Sequence, residues 1–385
     1  MRILHIGKYY YPFHGGIESV VKNTCEGLAE DGHDIEVLCS NTSFKNSDEM
    51  INGVKVSRSA EILKLFGQSL VPFLFFQLRK KIKNYDVIHV HGPNPLIELF
   101  CLFLPKKIPV VVTYHSDVVK QKFLLHFYKP ILKLFLNRCN EIYVATENHI
   151  KYSFILPEYR YKCRIIPFGI PVQHLEESSD VLKKAAEFRS QYGQYVLSVG
   201  RLVGYKGLTH LIEAATQFDQ SVLIVGGGPD HKKLKSKIKN LGLENQVHLI
   251  GRVDDDVDFA AYFHGCDVFA LPSVTNNENF GIVQLEAMAC RKPVVTTNLK
   301  SGVPLVGEKG KTTLVVEPAN SDALSKAIQM LLNNEELRIS FSKNSYNRFN
   351  ENYTQACMVD GHVKAYQELF NIEDVQKKTN LKKVS

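Results

Sequence analysis

Two glutamates stand eight residues apart in "ENFGIVQLE", residues 278–286, one before a Phe-Gly pair and one after an apolar run. Gly281 suits a helix start, and "IVQLEAMA" continues with helical spacing. At 1.5 Å per residue, eight positions cover at most ~12 Å. That is the reach from a sugar, across a diphosphate, to a ribose. A helix N-terminus between them would face the phosphates, where its dipole favours negative charge. Glu278 would lie at the sugar end. Glu286, two turns into the helix, would lie at the ribose end, where a carboxylate accepts hydrogen bonds from two vicinal hydroxyls. The plain alternative is two surface glutamates on an amphipathic helix. Glu286 sits inside an apolar run, where an unpartnered charge is costly, and that favours a functional role.

Three other stretches suit an anion. In "HGGIESVV", Gly15 and Gly16 precede a helix start, and bare N–H groups at such a terminus suit a phosphate. Two glycines also make an ordinary tight turn. In "GRLVGYKG", Arg201 and Lys206 flank a glycine-containing loop and could clamp a diphosphate. Either alone would read as a solvated surface charge. "GGGPD" carries Gly226, Gly227 and Gly228, where a backbone can approach a ligand closely.

These stretches follow apolar runs that read as strands. In the first half these are "RILHIG", "HDIEVLCS", "YDVIHVHG", "IPVVVTYHS", "EIYVATE" and "CRIIPFGI". In the second half they are "QYVLSVGR", "SVLIVGGG", "QVHLIGR", "CDVFALPS", "KPVVTTN" and "TTLVVEP". Strands alternating with helices predict parallel α/β sheets. Two such sets, in a chain of 385 residues, predict two doubly wound domains. The join falls near "PFGIPVQHLEESSD". Ligands of such sheets bind beyond the C-terminal strand ends, so a cleft between two domains is the expected site.

Composition narrows the class. The chain is 44% hydrophobic and 23% charged, as in soluble globular proteins. Its eight cysteines form no C-x-x-C pair, which predicts core thiols in a reduced, cytoplasmic protein. No run of 18 apolar residues predicts a membrane span. The net charge of +7 allows an anionic partner without naming one, and no nucleic-acid partner is expected.

Taken together, "GRLVGYKG", "GGGPD", "LPSVTNNENFGIVQLEAMAC", "SGVP" and "LVVEPANSDALSKAI" resemble retaining glycosyltransferases of family 4, which have the GT-B fold. "YYYPFHGGIESVV", "DGHDIEVLCS" and "VTYHSDVV" fit the same family, and the resemblance runs to about residue 370. It implies an α/β architecture of two Rossmann-like domains facing each other across a cleft. Residues 1–170 would form the acceptor-binding domain and 171–354 the nucleotide-sugar donor-binding domain. A helix at about 355–372 would cross back onto the first, and 373–385 would be a disordered basic tail. Glu278 and Glu286 match the family's E-x7-E motif, implying contact with the transferred sugar and the ribose. The resemblance also implies that the amides of Phe280, Gly281 and Ile282 hold sugar hydroxyls and phosphate. Arg201 and Lys206 would neutralise the departing diphosphate, Gly16 would approach it from the first domain, and His115 would face the donor sugar. The implied activity is a metal-independent, cofactor-free hexosyltransferase that retains anomeric configuration. The chain has no tryptophan, whereas many relatives carry one in the last helix.

"VTYHSDVVKQ", "FGIVQLEAMA" and "NLKSGVPLV" resemble bacterial mannosyltransferases of lipopolysaccharide O-antigen synthesis, implying GDP-mannose as donor, with a UDP-hexose as the alternative. The acceptor would be a saccharide, lipid-linked at the inner face of the cell membrane. Residues 119–138 hold five Lys or Arg and no Asp or Glu, with Lys122, His126, Lys129 and Lys133 at helical spacing. Residues 62–83 hold five more basic residues among several Phe. Both suit peripheral docking on anionic lipid, the plain alternative being a core-facing helix with a solvated basic face.

Other signals are weaker. "DDDVD", residues 254–258, contains D-x-D but is expected to cap a helix. "GKT" at 310–312 lacks the P-loop's first glycine, since residue 305 is Leu. His89 and His91 share a strand face, but the sequence shows no third metal ligand, and buried strand histidines are expected. The other classes weighed are a nucleotide-sugar epimerase, a dinucleotide oxidoreductase and a non-catalytic nucleotide-sugar binding subunit. The oxidoreductase would need G-x-G-x-x-G after the first strand, which "GKYYYPFHGG" does not supply.

Overall fold

The computed structural model describes residues 1–13, 15–65, 68–117 and 122–381, by backbone alone at 63–65, 68–70, 72–73, 122–126 and 371–381. The chain divides into two compact units: Met1–Gly169 with Gln355–Ser385, and Ile170–Thr354.

The strands of the first unit are β1 (Arg2–Ile6), β2 (Asp34–Ser40), β3 (Ser47–Ile51), β4 (Val54–Ser59), β5 (Leu63–Leu65), β6 (Gln68–Leu70), β7 (Val87–Gly92), β8 (Val110–Tyr114), β9 (Glu141–Val144) and β10 (Cys163–Ile165). Eight of them form one sheet in the order β10-β9-β8-β7-β1-β2-β4-β3. Its pairs are parallel except β3–β4. The strand order reverses between β1 and β7. The continuous apolar runs reflect a sheet covered on both faces. Leu4, Ile6, Ile88 and Val90 enter one buried cluster, and Ile3, Val37, Val87 and Val111 another.

The helix Gln355–Leu381 belongs to this first unit although it follows the second in sequence. It lies on the helix Gly16–Glu30: Gln355 Nε2 donates to the Asn23 carbonyl at 2.7 Å. A Cβ on Gly27 would stand 2.6 Å from Val359 Cγ2, so this crossing depends on the missing side chain. The helix runs on to Leu381, where a disordered tail from 373 was expected. Residues 373–381 contain no Gly or Pro, and Glu373/Lys377 and Asp374/Lys378 are spaced i,i+4, which favours helix.

The second unit holds β11 (Tyr195–Val199), β12 (Ser221–Val225), β13 (Val247–Gly251), β14 (Val268–Leu271), β15 (Val294–Thr297) and β16 (Thr313–Val316). They form one parallel sheet in the order β13-β12-β11-β14-β15-β16, the nucleotide-binding doubly wound order, with its reversal between β11 and β14. The core packs Val196, Val222, Ile224 and Val268 under Leu211, Ile212 and Ile328.

The twelve segments read as strands in the sequence are β1, β2 and β7–β16. The β3–β4 hairpin was not anticipated, although Asn52-Gly53 is a strong hairpin signal. Both residues have positive φ, 46° and 79°, as a two-residue turn between twisted strands requires. Asp255 caps the helix Asp256–Gly265, accepting from Asp258 N at 2.9 Å, as its position in "DDDVD" suggested.

Candidate active site

In the second unit, the loops leaving β11 and β14 meet at the strand-order reversal. There the outgoing chains turn to opposite faces of the sheet and leave a crevice. The β11 loop carries Arg201 and Lys206, and the β14 loop carries Glu278. Glycines let the β11 loop pack closely on its neighbours, the end of β12 at Gly226 and the β14 loop at Pro272. A Cβ on Gly226 would stand 2.0 Å from the Gly200 carbonyl, and one on Gly207 would stand 2.0 Å from the Pro272 carbonyl. Their φ values of 136° and 65° lie where other residues are strained.

Lys206 and Glu278 form an ion pair at 2.5 Å, with side chains only 12% and 10% exposed. Ser273 Oγ donates to the same carboxylate oxygen at 3.0 Å. Arg201 is exposed and has no ion pair among the described residues. The sequence treats the two cations alike; the structure separates them. Lys206 is committed to a carboxylate, whereas Arg201 is available to an incoming anion.

Glu286 lies in the first turn of the helix Val283–Ala289, not two turns in. Gly281, with φ of 73°, ends a run of turns and bends, and the helix starts two residues later. Glu286 is partly exposed, yet burial raises its carboxyl to about 7, against an opposing pull from Lys206. Phe280 is buried, with its ring 6.2 Å from that of Tyr353. Gln284 Nε2 donates to the Phe280 carbonyl at 3.1 Å and fixes the loop's exit. Among the described residues, the amides of Gly281 and Ile282 make no hydrogen bond. A Cβ on Gly227 would meet nothing within 4 Å, so the backbone there borders open space.

Arg201, Lys206, Glu278 and Glu286 are thus one neighbourhood. A groove of roughly 760 Å³ lies elsewhere in this unit, lined by Arg189, Asp267, Arg291 and Arg338. It borders the residues entering β14 and β15, at the amino ends of the strands, away from this crevice.

In the first unit, the helix Gly16–Glu30 follows β1 and has Gly15 at its N-cap. The carboxyl of Glu18 folds over Gly15, where a Cβ would stand 2.1 Å from Glu18 Oε2. Burial raises that carboxyl's pKa. A Cβ on Gly16 would meet nothing within 4 Å. An anion arriving here meets Glu18 first, a feature the glycine spacing did not show.

His115 follows β8 and is buried. Its Nε2 is 3.1 Å from His91 Nδ1, and its ring lies tilted against Phe168 with centroids 5.4 Å apart. Desolvation, and then the neighbouring His149, lower its pKa to about 3, so the imidazole is neutral. Sequence reasoning found no third histidine beside His89 and His91. The structure supplies His5, because β1 pairs with β7 in register and sets His5 opposite His89.

The basic segments are less free than their spacing implied. Lys133 Nζ donates to Glu158 at 2.7 Å, and Lys129 lies 5.7 Å over the Phe154 ring. The side chains of Lys122 and His126 lie outside the described residues. Phe76, Phe103, Phe127 and Leu134 are more than half exposed. Among the described residues, no helix is long and apolar enough to cross a membrane.

Comparison with known proteins agrees with this architecture. Residues 14–174 match the Glycosyltransferase Family 4 model, and 182–348 match that of Glycosyl transferases group 1. O-antigen chain mannosyltransferase C of Escherichia coli is 32% identical over 96% of this chain and 99% of its own. D-rhamnosyltransferase WbpZ of Pseudomonas aeruginosa is 32% identical over 92% of each. Anabaena HepE in complex with UDP shares the fold at TM-score 0.77, with 20% identity over 96% of this chain and 100% of that one. A sucrose-phosphate synthase from Thermosynechococcus elongatus does so at TM-score 0.76, with 22% identity over 96% and 99%. With both halves matched by these models and two relatives near a third identical over almost the whole length, the chain belongs to glycosyltransferase family 4 and has the GT-B fold.

Proposed function

We propose that this glycosyltransferase moves a mannose from GDP-mannose to a hydroxyl of a lipid-linked saccharide in bacterial O-antigen synthesis, with retention at the anomeric carbon. The sugar assignment is supported by the two similar enzymes, named for mannose and D-rhamnose. D-Rhamnose is 6-deoxy-D-mannose, so both names carry the manno configuration.

The observation that carries the chemistry is the Lys206–Glu278 pair at the β11/β14 reversal, with Arg201 beside it. Bond cleavage at the anomeric carbon adds a further negative charge to the already doubly charged diphosphate, on its terminal phosphate. Lys206 and Arg201 stabilise that charge and take the part a divalent cation plays elsewhere, so no metal or cofactor is required. Glu278, anchored by Lys206 and Ser273, has a fixed carboxylate to accept hydrogen bonds from sugar hydroxyls. Glu286 holds the ribose diol. Phe280, Gly281 and Ile282 present backbone N–H groups to the sugar and phosphate, and Gly227 lets the donor approach the backbone. Gly15, Gly16 and His115 contribute from the first domain, with His115 against the donor sugar. The acceptor enters over that domain, which meets anionic membrane through segments 62–83 and 119–138 and their exposed Phe and Leu side chains.

The test is a thermal-shift screen of GDP- and UDP-sugars, since a ligand of the native state raises Tm. It is followed by transfer assays with NMR of the product's anomeric centre. A shift with GDP-mannose and a retained linkage, undiminished by chelator, is expected. Inversion, dependence on added metal, or a new sugar nucleotide formed from donor alone would refute the assignment.

A further inference from the structure

The first unit carries a polar file inside its core that the proposed chemistry does not yet use. His5 on β1 and His91 on β7 continue inward from His115. His115 Nε2 is 3.1 Å from His91 Nδ1, and His91 Nε2 is 3.0 Å from His5 Nδ1. All three rings are 3% exposed or less. Adjacent rings stack with centroids 5.3 Å apart. His89 stands beside the file with its own partners, Thr113 Oγ1 at 2.7 Å and Tyr366 Oη at 2.6 Å. The inner end is open: His5 Nε2 is buried and has no hydrogen-bond partner. At the outer end, no hydrogen bond reaches His115 Nδ1 among the described residues.

Counting protons fixes what the file can do. Burial lowers the pKa of each ring, His5 and His115 to about 3 and His91 well below its ordinary value, so all are neutral near pH 7. Three neutral imidazoles carry three protons on six nitrogens. Each ring-to-ring hydrogen bond needs one proton. The third sits at one end, on His5 Nε2 or on His115 Nδ1. A buried N–H without an acceptor is a rarer defect than a buried acceptor short of a donor. The proton therefore leaves His5 Nε2 bare. His5 Nδ1–H donates to His91 Nε2, His91 Nδ1–H donates to His115 Nε2, and His115 keeps its proton on Nδ1.

We propose that His91 and His5 are positioning residues that lock His115 as its Nδ1–H tautomer, so that it meets the donor sugar with an N–H rather than a lone pair. His115 is then a hydrogen-bond donor to a sugar oxygen and not a general base. The catalytic consequence rests on the proposed role of His115; the tautomer does not. A metal bound by His5, His89 and His91 is the rival arrangement, since their nitrogens lie within 4.8 Å of one another. Both nitrogens of His89 and of His91 are already engaged, so a metal would have to break these hydrogen bonds.

The experiment is long-range 1H–15N NMR of the full chain labelled with 15N-histidine, His115 being assigned by signals lost in His115→Gln. Wild type is expected to show a protonated Nδ1 and a bare Nε2 on His115, unchanged by equimolar Zn2+. His91→Phe, which keeps the ring and removes both nitrogens, should return His115 to mixed tautomers. It should also lower kcat roughly 10- to 100-fold with little change in donor KM, the scale seen for groups that orient a functional imidazole. His91→Gln, with one donor and one acceptor, should restore part of the loss. Should His91→Phe not fold, His5→Phe gives the same reading one ring further in. An Nε2–H on wild-type His115, a His115 spectrum indifferent to both Phe variants, or a Zn2+-coordinated cluster would each overturn the proposal. Full activity in His115→Gln alongside the expected tautomer would overturn only the donor-sugar role of His115.

Discussion

Donor binding should depend on pH through a single group, Glu286. Burial raises its carboxyl from 4.5 to about 7, with only Lys206 pulling the other way. A carboxylate that accepts from two ribose hydroxyls must be ionised, so binding has to expel the proton first. Above pH 7 this costs little. Below it, affinity should approach a tenfold fall per pH unit, so that between pH 7 and pH 5, where the protonated fraction rises from about half to nearly all, affinity drops roughly 50-fold, about 2.3 kcal/mol. The sugar nucleotide's diester pyrophosphate does not titrate in this range, which leaves the protein as the source of the change. Calorimetry with GDP-mannose in buffers of different ionisation enthalpy would report both the affinity and close to one proton released near pH 6. Glu286→Gln should bind more weakly at pH 8 and show a flat profile. The same shift has a sign for stability. A folded pKa above the unfolded one gives a contribution fully present below pH 4.5 and lost as pH rises to 7. Glu286→Gln should therefore raise stability at pH 8 by up to about 3 kcal/mol, seen as a higher Tm, and leave Tm unchanged at pH 4.5. A flat affinity profile in the wild type, or a pH-dependent one in Glu286→Gln, would refute the reasoning.

Other predictions follow the same geometry. Lys206→Met leaves Glu278 inside the loop without its cation and should cost about 3 kcal/mol in urea unfolding, with turnover down at least roughly 100-fold. Arg201→Ala, which breaks no ion pair, should spare stability and cut turnover, as single-turnover kinetics would show. Gly281→Ala sets a Cβ 2.6 Å from Leu271 Cδ2 at a φ of 73°. It should lose ~1–2 kcal/mol of stability and weaken donor binding in thermal-shift titration. Asp267→Asn loosens the contacts of Asp267 with Arg189 at 2.5 Å and with the Tyr195 amide at 3.0 Å, at the amino end of β11. It should lower Tm through a loss of about 1–3 kcal/mol and leave donor KM unchanged.

Much of this protein is written locally. The parallel strands show as apolar runs because both sheet faces are covered, and that condition acts residue by residue. The family is legible because its loops must combine glycine, cation and carboxylate at fixed spacing. Asn52-Gly53 carried a hairpin signal in the same local code, obscured by the polar β3 beside it, whose residues are almost all exposed. The tertiary structure decided what depends on residues distant in sequence. It paired Lys206 with Glu278 and left Arg201 open, because two loops 72 positions apart meet only where the strand order reverses. It shortened the lead into Glu286, because Gly281 takes a positive φ against Leu271. It also set His5 beside His91, 86 positions on, because β1 lies next to β7. Spacing along the chain specifies which side chains share a face. Only the stacking of strands and the close approach of loops specifies which charges and which imidazoles touch, and touching fixes their protonation.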